Sequence, residues 1–461
     1  MTKLKALVFI EHNVVARHFL QSRAFDDFSE RHEPMFVFPE KGHRRISQVD
    51  PSQLELPGPH EHLTILPERQ ITWKWLYLVD QLRWKPGAQA KALRRLHRCN
   101  AGWKAAILLT ALGLPGIRQV FQWAAHRKLR ALPFNALREL LDREQPDILI
   151  HPCVMEGVFL NDLIEESKRR NIPMVVIMNS WDNPSTKRAM IGNPNWLLVW
   201  GEQTHRHAVD LAGMPPERTL KFGAAQFEVY REPPRMDRDE FCLLNGVDPV
   251  LPLLVYAGSS KGTREIDHLR QLDAAVESGV LPPTTILYRP HPWGNGGEGG
   301  ANILDEPWRH VAIEHSMREY LEQVRAGQTQ ICLSDYRHTH EVLTHCDALI
   351  SPLSTIILEA ALHGKPAMCF LPDTDQSNHF RHDSQLMHFQ DMFELPEMIV
   401  TRGQGELIAN TSKLLARAAD SNWQERMIQA GSFFVEPHEQ PFSCRFREFC
   451  EQVVAGEMAA V

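Results

Sequence analysis

The chain has 461 residues, of which 43% are hydrophobic and 23% charged, and it carries a net charge of −7. One core rarely grows past about 250–300 residues, so two domains are expected. The acidic balance excludes a protein that binds polyanions over its whole surface, because such proteins carry a basic excess.

Short apolar runs alternate with amphipathic stretches along the chain. Leu4–Ile10 reads as the first strand, with a loop and helix over Glu11–Gln21. Residues 71–130 then break the scheme with helical pattern only. They hold twelve Lys/Arg, one acid (Asp80) and five of the eleven tryptophans, a local charge of +11 in a remainder of −18. This reads as a helical insertion. Strands are predicted at 147–151, Met174–Met178, Trp196–Trp200 and Leu220–Gly223, with helices over Val158–Arg169 and Gln203–Ala212. The polar, Pro-containing stretch 231–240 reads as a linker. The alternation restarts with strands Leu253–Ala257, Thr285–Tyr288, Ala348–Ile350 and Ala367–Leu371. Helices are predicted over Arg264–Glu277, Thr355–His363, 404–430 and Phe442–Val454. Continuously apolar strands alternating with helices point to parallel sheets covered on both faces. The domain reading is therefore 1–230, a linker at 231–240, a second domain at 241–435, and a final helix in 436–461 that returns to the first.

Eight scattered cysteines without a CxxC pair indicate a reducing compartment and no zinc ribbon. The apolar run at the N-terminus is too short for a signal peptide. The longest apolar stretch, Ala105–Ile117, is too short to span a bilayer, which takes about 20 residues. These features predict a cytoplasmic protein.

Ligands of doubly wound sheets sit outside the carboxyl ends of the strands, so the residues after each strand matter most. After Leu253–Ala257 come Gly258, Ser259 and Ser260, small residues that let a phosphate approach the backbone. After Thr285–Tyr288 comes Arg289-Pro290-His291-Pro292, in which two prolines fix one histidine beside a bidentate phosphate donor. A Gly-rich run follows at 294–300. After Ala348–Ile350 come Ser351, Ser354 and Thr355 at a helix start, an anion site by its free N–H groups. Glu359, one turn on, can accept hydrogen bonds from a ribose.

A strand, then RPHP, then a later strand followed by SxxSTxxLEAxxxGKP resembles the nucleotide half of GT-B glycosyltransferases of bacterial surface polysaccharides. The pattern is similar to sialyl and Kdo transferases that use CMP-sugars, and to CDP-glycerol glycerophosphotransferases. The resemblance, strongest over 250–372, implies a GT-B fold with two Rossmann-like doubly wound domains facing a cleft. It implies that His291, Ser354 and Thr355 contact the donor phosphate.

Sugar transfer with inversion needs a general base, which GT-B enzymes usually supply from the first domain. Asp182, in the polar loop Asn179–Lys187, stands first; Glu156 and His12 follow. The Glu156-Gly157 pair keeps only the end of the acidic-acidic-Gly motif of the sialyltransferases, with Met155 in place of the first acid. Asp373-Thr374-Asp375, a DxD spelling, falls in a turn, and no metal and no cofactor are assigned.

The leading expectation is a metal-independent glycosyltransferase. Its donor would be a nucleotide-sugar, CMP-linked first and UDP-linked second, and its acceptor a glycan or lipid-linked glycan. Residues 71–130 would meet an anionic membrane surface, as a peripheral contact at the inner face of the cell membrane. No RNP, KH or zinc-finger pattern accompanies the charge, so nucleic acid is not a partner. The competing expectations are a UDP-N-acetylglucosamine 2-epimerase-like enzyme, a CDP-glycerol-type transferase, and a non-enzymatic nucleotide-sugar-binding component of a polysaccharide assembly.

Overall fold

The computed structural model describes residues 3–40, 54–66, 103–104, 107, 110–111, 114, 116–259, 263–292, 300–327, 335–372, 383–395, 398–418 and 420–457. The chain forms two compact units. The first is Met1–Glu228 with 386–388 and Phe434–Val461; the second is Val229–Gln385 with Phe389–Phe433.

The first unit holds a seven-stranded sheet: β1 (Lys5–Phe9), β2 (Glu33–Pro39), β3 (His60–Leu63), β4 (Ile148–Cys153), β5 (Met174–Met178), β6 (Trp196–Val199) and β7 (Thr219–Lys221). Its order is β3-β2-β1-β4-β5-β6-β7, and each pairing is parallel. Val8 lies level with Phe36 on one side and Ile150 on the other. Strands β4, β5 and β6 are buried along their whole length, as near-continuous apolar sequence requires in a sheet covered on both faces. Helices carry the chain back between strands, which parallel pairing demands. The helix Phe442–Ala455 packs Phe442, Phe446, Phe449, Cys450 and Val453 into this unit's core, beside Phe19, Phe25 and Phe222.

The second unit holds six parallel strands: β8 (Leu253–Ala257), β9 (Thr285–Arg289), β10 (Val311–Ile313), β11 (Ala348–Ser351), β12 (Ala367–Leu371) and β13 (Ile399–Arg402). Their order is β10-β9-β8-β11-β12-β13. Leu254, Tyr256, Ile286, Tyr288, Ile350, Met368 and Phe370 fill a separate core.

Both sheets are doubly wound and Rossmann-like, as expected. Four strands escape the sequence reading: β2, β3, β10 and β13. The proposed linker is partly regular structure. A 3-10 helix covers Ala225–Arg231, and the helix Arg238–Asn245 starts at Asp237, whose carboxylate caps the Glu240 N–H at 2.9 Å. The stretch 404–430 divides into a 3-10 turn at Gln404–Glu406 and helices at Leu407–Ala418 and Ser421–Gly431. Of the 71–130 insertion, 71–102 lies outside the described residues; its last part forms the helix Ile117–Ala131.

Candidate active-site loops

In each sheet the strand order reverses at one point, where the loops on either side part and leave a crevice. In the second unit that point lies between β8 and β11. Gly258 and Ser259 follow β8; Ser351, Ser354 and Thr355 end and follow β11. Arg289 ends β9, the neighbour of β8, and His291 follows it. The topology thus brings the sequence-nominated residues of three loops to the carboxyl end of adjacent strands. Ser260 and the Gly-rich segment 293–299 lie outside the described residues, as does Asp373-Thr374-Asp375.

A buried carboxylate ties the β8 loop in place. Glu265 accepts the Ser259 N–H at 2.7 Å, the Thr263 hydroxyl at 2.8 Å and the Tyr288 hydroxyl at 2.5 Å. Burial raises its pKa, and these three donors oppose the rise. A Cβ built on Gly258 would overlap the same carboxylate, so a side chain there would push the loop away from Glu265. Alongside it, the buried Tyr256 hydroxyl bonds His268 Nδ1 at 2.8 Å.

Arg289 is 4% exposed. Its guanidinium donates to Glu314 at 2.7 Å and to the Thr339 hydroxyl at 3.0 Å. It is therefore committed inside the unit, where it anchors the turn that carries Pro290 and the half-buried His291. Ser354 and Thr355 are half-buried at the start of the helix Ile356–Leu362, and Ser351 is fully buried at the end of β11. The Ser351 hydroxyl has no hydrogen-bond partner among the described residues. Glu359 is 7% exposed and accepts the Tyr230 hydroxyl.

In the first unit the order reverses between β1 and β4. Glu11, directly after β1, is 1% exposed. It accepts the Val158 N–H at 2.6 Å and the Phe159 N–H at 2.9 Å, and lies 3.2 Å from His151 Nε2. His151 Nδ1 lies 3.1 Å from the Phe9 carbonyl. Both ring nitrogens therefore face acceptors, which fits an imidazolium. Burial opposes that charge, but Cys153 and Glu11 outweigh it and raise the His151 pKa to about 10. A Cβ on Gly157 would overlap the Glu11 carboxylate, so the glycine is what lets the β4 loop close over it. Met155 takes a left-handed φ of 59° in the same loop. Glu156 is half-buried between these two constrained residues. His12 is half-buried at the start of the helix Asn13–Phe19, whose first turn its side chain does not cap.

Asp182 follows β5. Its carboxylate takes the Asn183 amide at 3.0 Å, the Thr186 hydroxyl at 3.1 Å and the Lys187 ammonium at 3.1 Å. The carboxylate binds its own helical turn Asn183–Thr186. His388 joins this unit through Ser185 Oγ at 3.3 Å and an edge-on contact of 5.0 Å with Trp181.

Sequence reasoning left Glu265 and Glu314 out of the site, though each sets a loop in it. Both follow a strand or open a helix, and an acid at such a place was their available signal. Tyr230, His340 and His363 had none, because they meet only in three dimensions.

No family model matches the sequence, and no curated protein matches it. Solved structures do. A protein of Listeria monocytogenes assigned as a UDP-N-acetylglucosamine 2-epimerase is 12% identical, with a TM-score of 0.54 over 100% of this chain and 99% of its own. A UDP-N-acetylglucosamine 2-epimerase from Rickettsia bellii is 12% identical, with a TM-score of 0.50 over 98% of each chain. The wall teichoic acid polymerase TagF aligns at 12% identity with a TM-score of 0.48, over 99% of this chain and 90% of its own. At such identity the likeness to the two epimerase structures concerns the fold alone: this chain has the GT-B type of fold, built from two Rossmann-like units.

Proposed function

We propose that the protein is a nucleotide-sugar enzyme, a glycosyltransferase that moves a sugar from a CMP- or UDP-linked donor to a glycan or lipid-linked glycan acceptor. One observation carries this reading: Gly258 and Ser259 after β8, and Ser351, Ser354 and Thr355 at and after the end of β11, flank the strand-order reversal of one sheet, and His291 follows the neighbouring β9. In this scheme the N–H groups and hydroxyls of Ser354 and Thr355, with His291, hold the donor phosphates and stabilise the leaving group. Glu359 takes the ribose. Arg289 acts through the turn it anchors rather than on the phosphate. Glu156 is the favoured base, because it stands at the first unit's reversal point; His12 is next, and Asp182 falls to third because its oxygens already serve Lys187, Thr186 and Asn183.

Calorimetry with CMP, UDP, CDP and GDP tests the donor site. The preferred nucleotide should bind, and His291→Ala should weaken it by about 1.5–3 kcal/mol, the worth of a hydrogen bond to a charged group. Unchanged binding removes His291 from the phosphate site. A second reading, epimerisation of a UDP-sugar, is favoured by the two epimerase structures whose fold spans nearly all of this chain. Incubation with UDP-N-acetylglucosamine and no acceptor separates the two: an epimerase makes product, a transferase does not.

For the insertion, the favoured partner is an anionic bilayer surface. Trp103 and Trp123 are 63% and 60% exposed, and Ile107, Val120 and Leu114 also face solvent. Lys104 and Arg127 lie over the two indole rings, at 5.5 and 5.4 Å. Exposed indoles among cations suit a negatively charged interface. The full chain should float with vesicles that contain anionic lipid and not with neutral ones. Replacing Trp123 with Ala and Arg127 with Glu should reduce flotation; equal recovery with neutral vesicles would sink the idea.

A further inference from the structure

Behind Glu359, two histidines meet in an arrangement that neutral rings cannot satisfy. His340 Nε2 lies 2.9 Å from the Glu232 carbonyl oxygen. A carbonyl only accepts, so this nitrogen carries a proton. His363 Nδ1 lies 2.8 Å from the Glu359 carbonyl oxygen and carries a proton for the same reason. In a neutral imidazole the second nitrogen is then a bare lone pair. The two second nitrogens, His340 Nδ1 and His363 Nε2, face each other at 2.9 Å. Lone pairs at that distance repel, whereas one added proton turns the contact into an N–H···N hydrogen bond. The Thr344 hydroxyl, 3.4 Å from His340 Nδ1, is no substitute, because it leaves the lone pair of His363 unmatched.

The surroundings suit a single positive charge. The Tyr230 ring stacks on His340 at 5.5 Å and meets His363 edge-on at 4.5 Å. An aromatic face stabilises a nearby cation. The Tyr230 hydroxyl donates to the Glu359 carboxylate. The other charged or titratable groups near the pair are Glu232, whose carbonyl His340 meets, Arg337, His338, Glu341 and His345 on the helix Tyr336–His345, and Lys365 two residues past His363. Lys365 is engaged at the Thr344 carbonyl, 2.9 Å away. The helix Ser421–Gly431 meets this end through Gln424 and Ile428, which do not titrate. Burial, with His340 and Lys365 adding to it, lowers the His363 pKa to about 4.

We infer that His340 and His363 bind one proton as a unit, and that this proton holds Tyr230 and Glu359 in position for the nucleotide. The three are positioning residues for Glu359. Without the proton the rings must separate, which withdraws their support from the Tyr230 ring and so shifts its bond to the Glu359 carboxylate. Raising the pH therefore weakens nucleotide binding. The binding half of this inference rests on the donor site proposed above; the shared proton does not.

Two measurements on the full chain test it separately. In the first, histidine is labelled with nitrogen-15 and coupling across an N–H···N bond is sought by NMR. One such signal is expected at mildly acidic pH, absent from both His340→Asn and His363→Asn. Two ordinary neutral rings without coupling in the wild type would overturn the shared proton. In the second, UDP and CMP binding is followed by calorimetry as pH is raised. Affinity should fall at least about fivefold, the lower range of site-to-site coupling, over the interval in which the NMR signal disappears. A flat wild-type profile with the signal titrating would overturn the link to Glu359. If neither nucleotide binds at any pH, the donor-site reading falls, and the NMR signal still decides the shared proton.

Discussion

At the scale of single residues, buried charges hold the loops that matter. Arg289 shows how the same sequence signal supports two roles. An arginine beside a histidine after a strand suits a phosphate, yet its guanidinium lies in an internal pair with Glu314, both side chains 5% exposed. Removing one partner of a buried pair strands the other charge, which costs about 3–5 kcal/mol. Arg289→Met should lower stability to urea by that amount, and Arg289→Lys should restore only part, because one ammonium cannot reproduce the forked contacts to Glu314 and Thr339. Unchanged urea stability with lost nucleotide binding would instead make Arg289 a phosphate ligand. Gly157 and Gly258 were legible as loop glycines. That each lies against a buried glutamate, Glu11 or Glu265, is not local information, because the glutamate comes from a distant turn of chain in one case and from the next helix in the other.

At the scale of elements, strand recognition followed burial. β1, β4, β5, β6, β8 and β12 read directly because burial on both faces leaves little but apolar residues. β3 reads His-Glu-His-Leu and β10 has three residues; with β13 they lie at or against sheet edges, where half-exposure removes the signal. β2 is interior but opens with Glu33-Pro34 and closes with Pro39, which imitate loop punctuation. Several helices bury neutral histidines, and this predicts acid sensitivity. Burial lowers His18, on the helix Asn13–Phe19, to about 3, and His268, on the helix Glu265–Glu277, to about 4. The unfolded chain takes up these protons near pH 6.5 while the folded chain refuses them. The contribution of these two histidines is therefore full above about pH 6.5 and is lost as pH drops toward 4. Urea midpoints at several pH values measure this, and His18→Asn should flatten the fall; a wild-type midpoint that rises on acidification contradicts it.

At the scale of the whole molecule, the two units are not two consecutive pieces of chain. The first also takes residues 386–388, from within the span of the second, and 434–461, from beyond it. The final helix gives the first unit three phenylalanines and Val453. Each such side chain is worth about 1.5–3 kcal/mol on full burial, so together they rival the usual total stability of a domain. A chain ending at Pro441 should lose the calorimetric transition of the first unit and keep that of the second. Two intact transitions would show that the helix contributes little. Among the described residues no helix is long and apolar enough to cross a membrane.

The sequence alone determined the layered α/β class and the loops in which the donor chemistry is proposed. Both follow from local rules, namely continuous apolar strands, helix starts, and prolines around a histidine. Only the tertiary structure decided which nominated side chains are committed elsewhere, as Arg289 is to Glu314 and Asp182 to Lys187. It alone also brought His340, His363 and Tyr230 onto Glu359. The physical reason is that a buried polar group must find a partner, and the partner can come from anywhere in the chain.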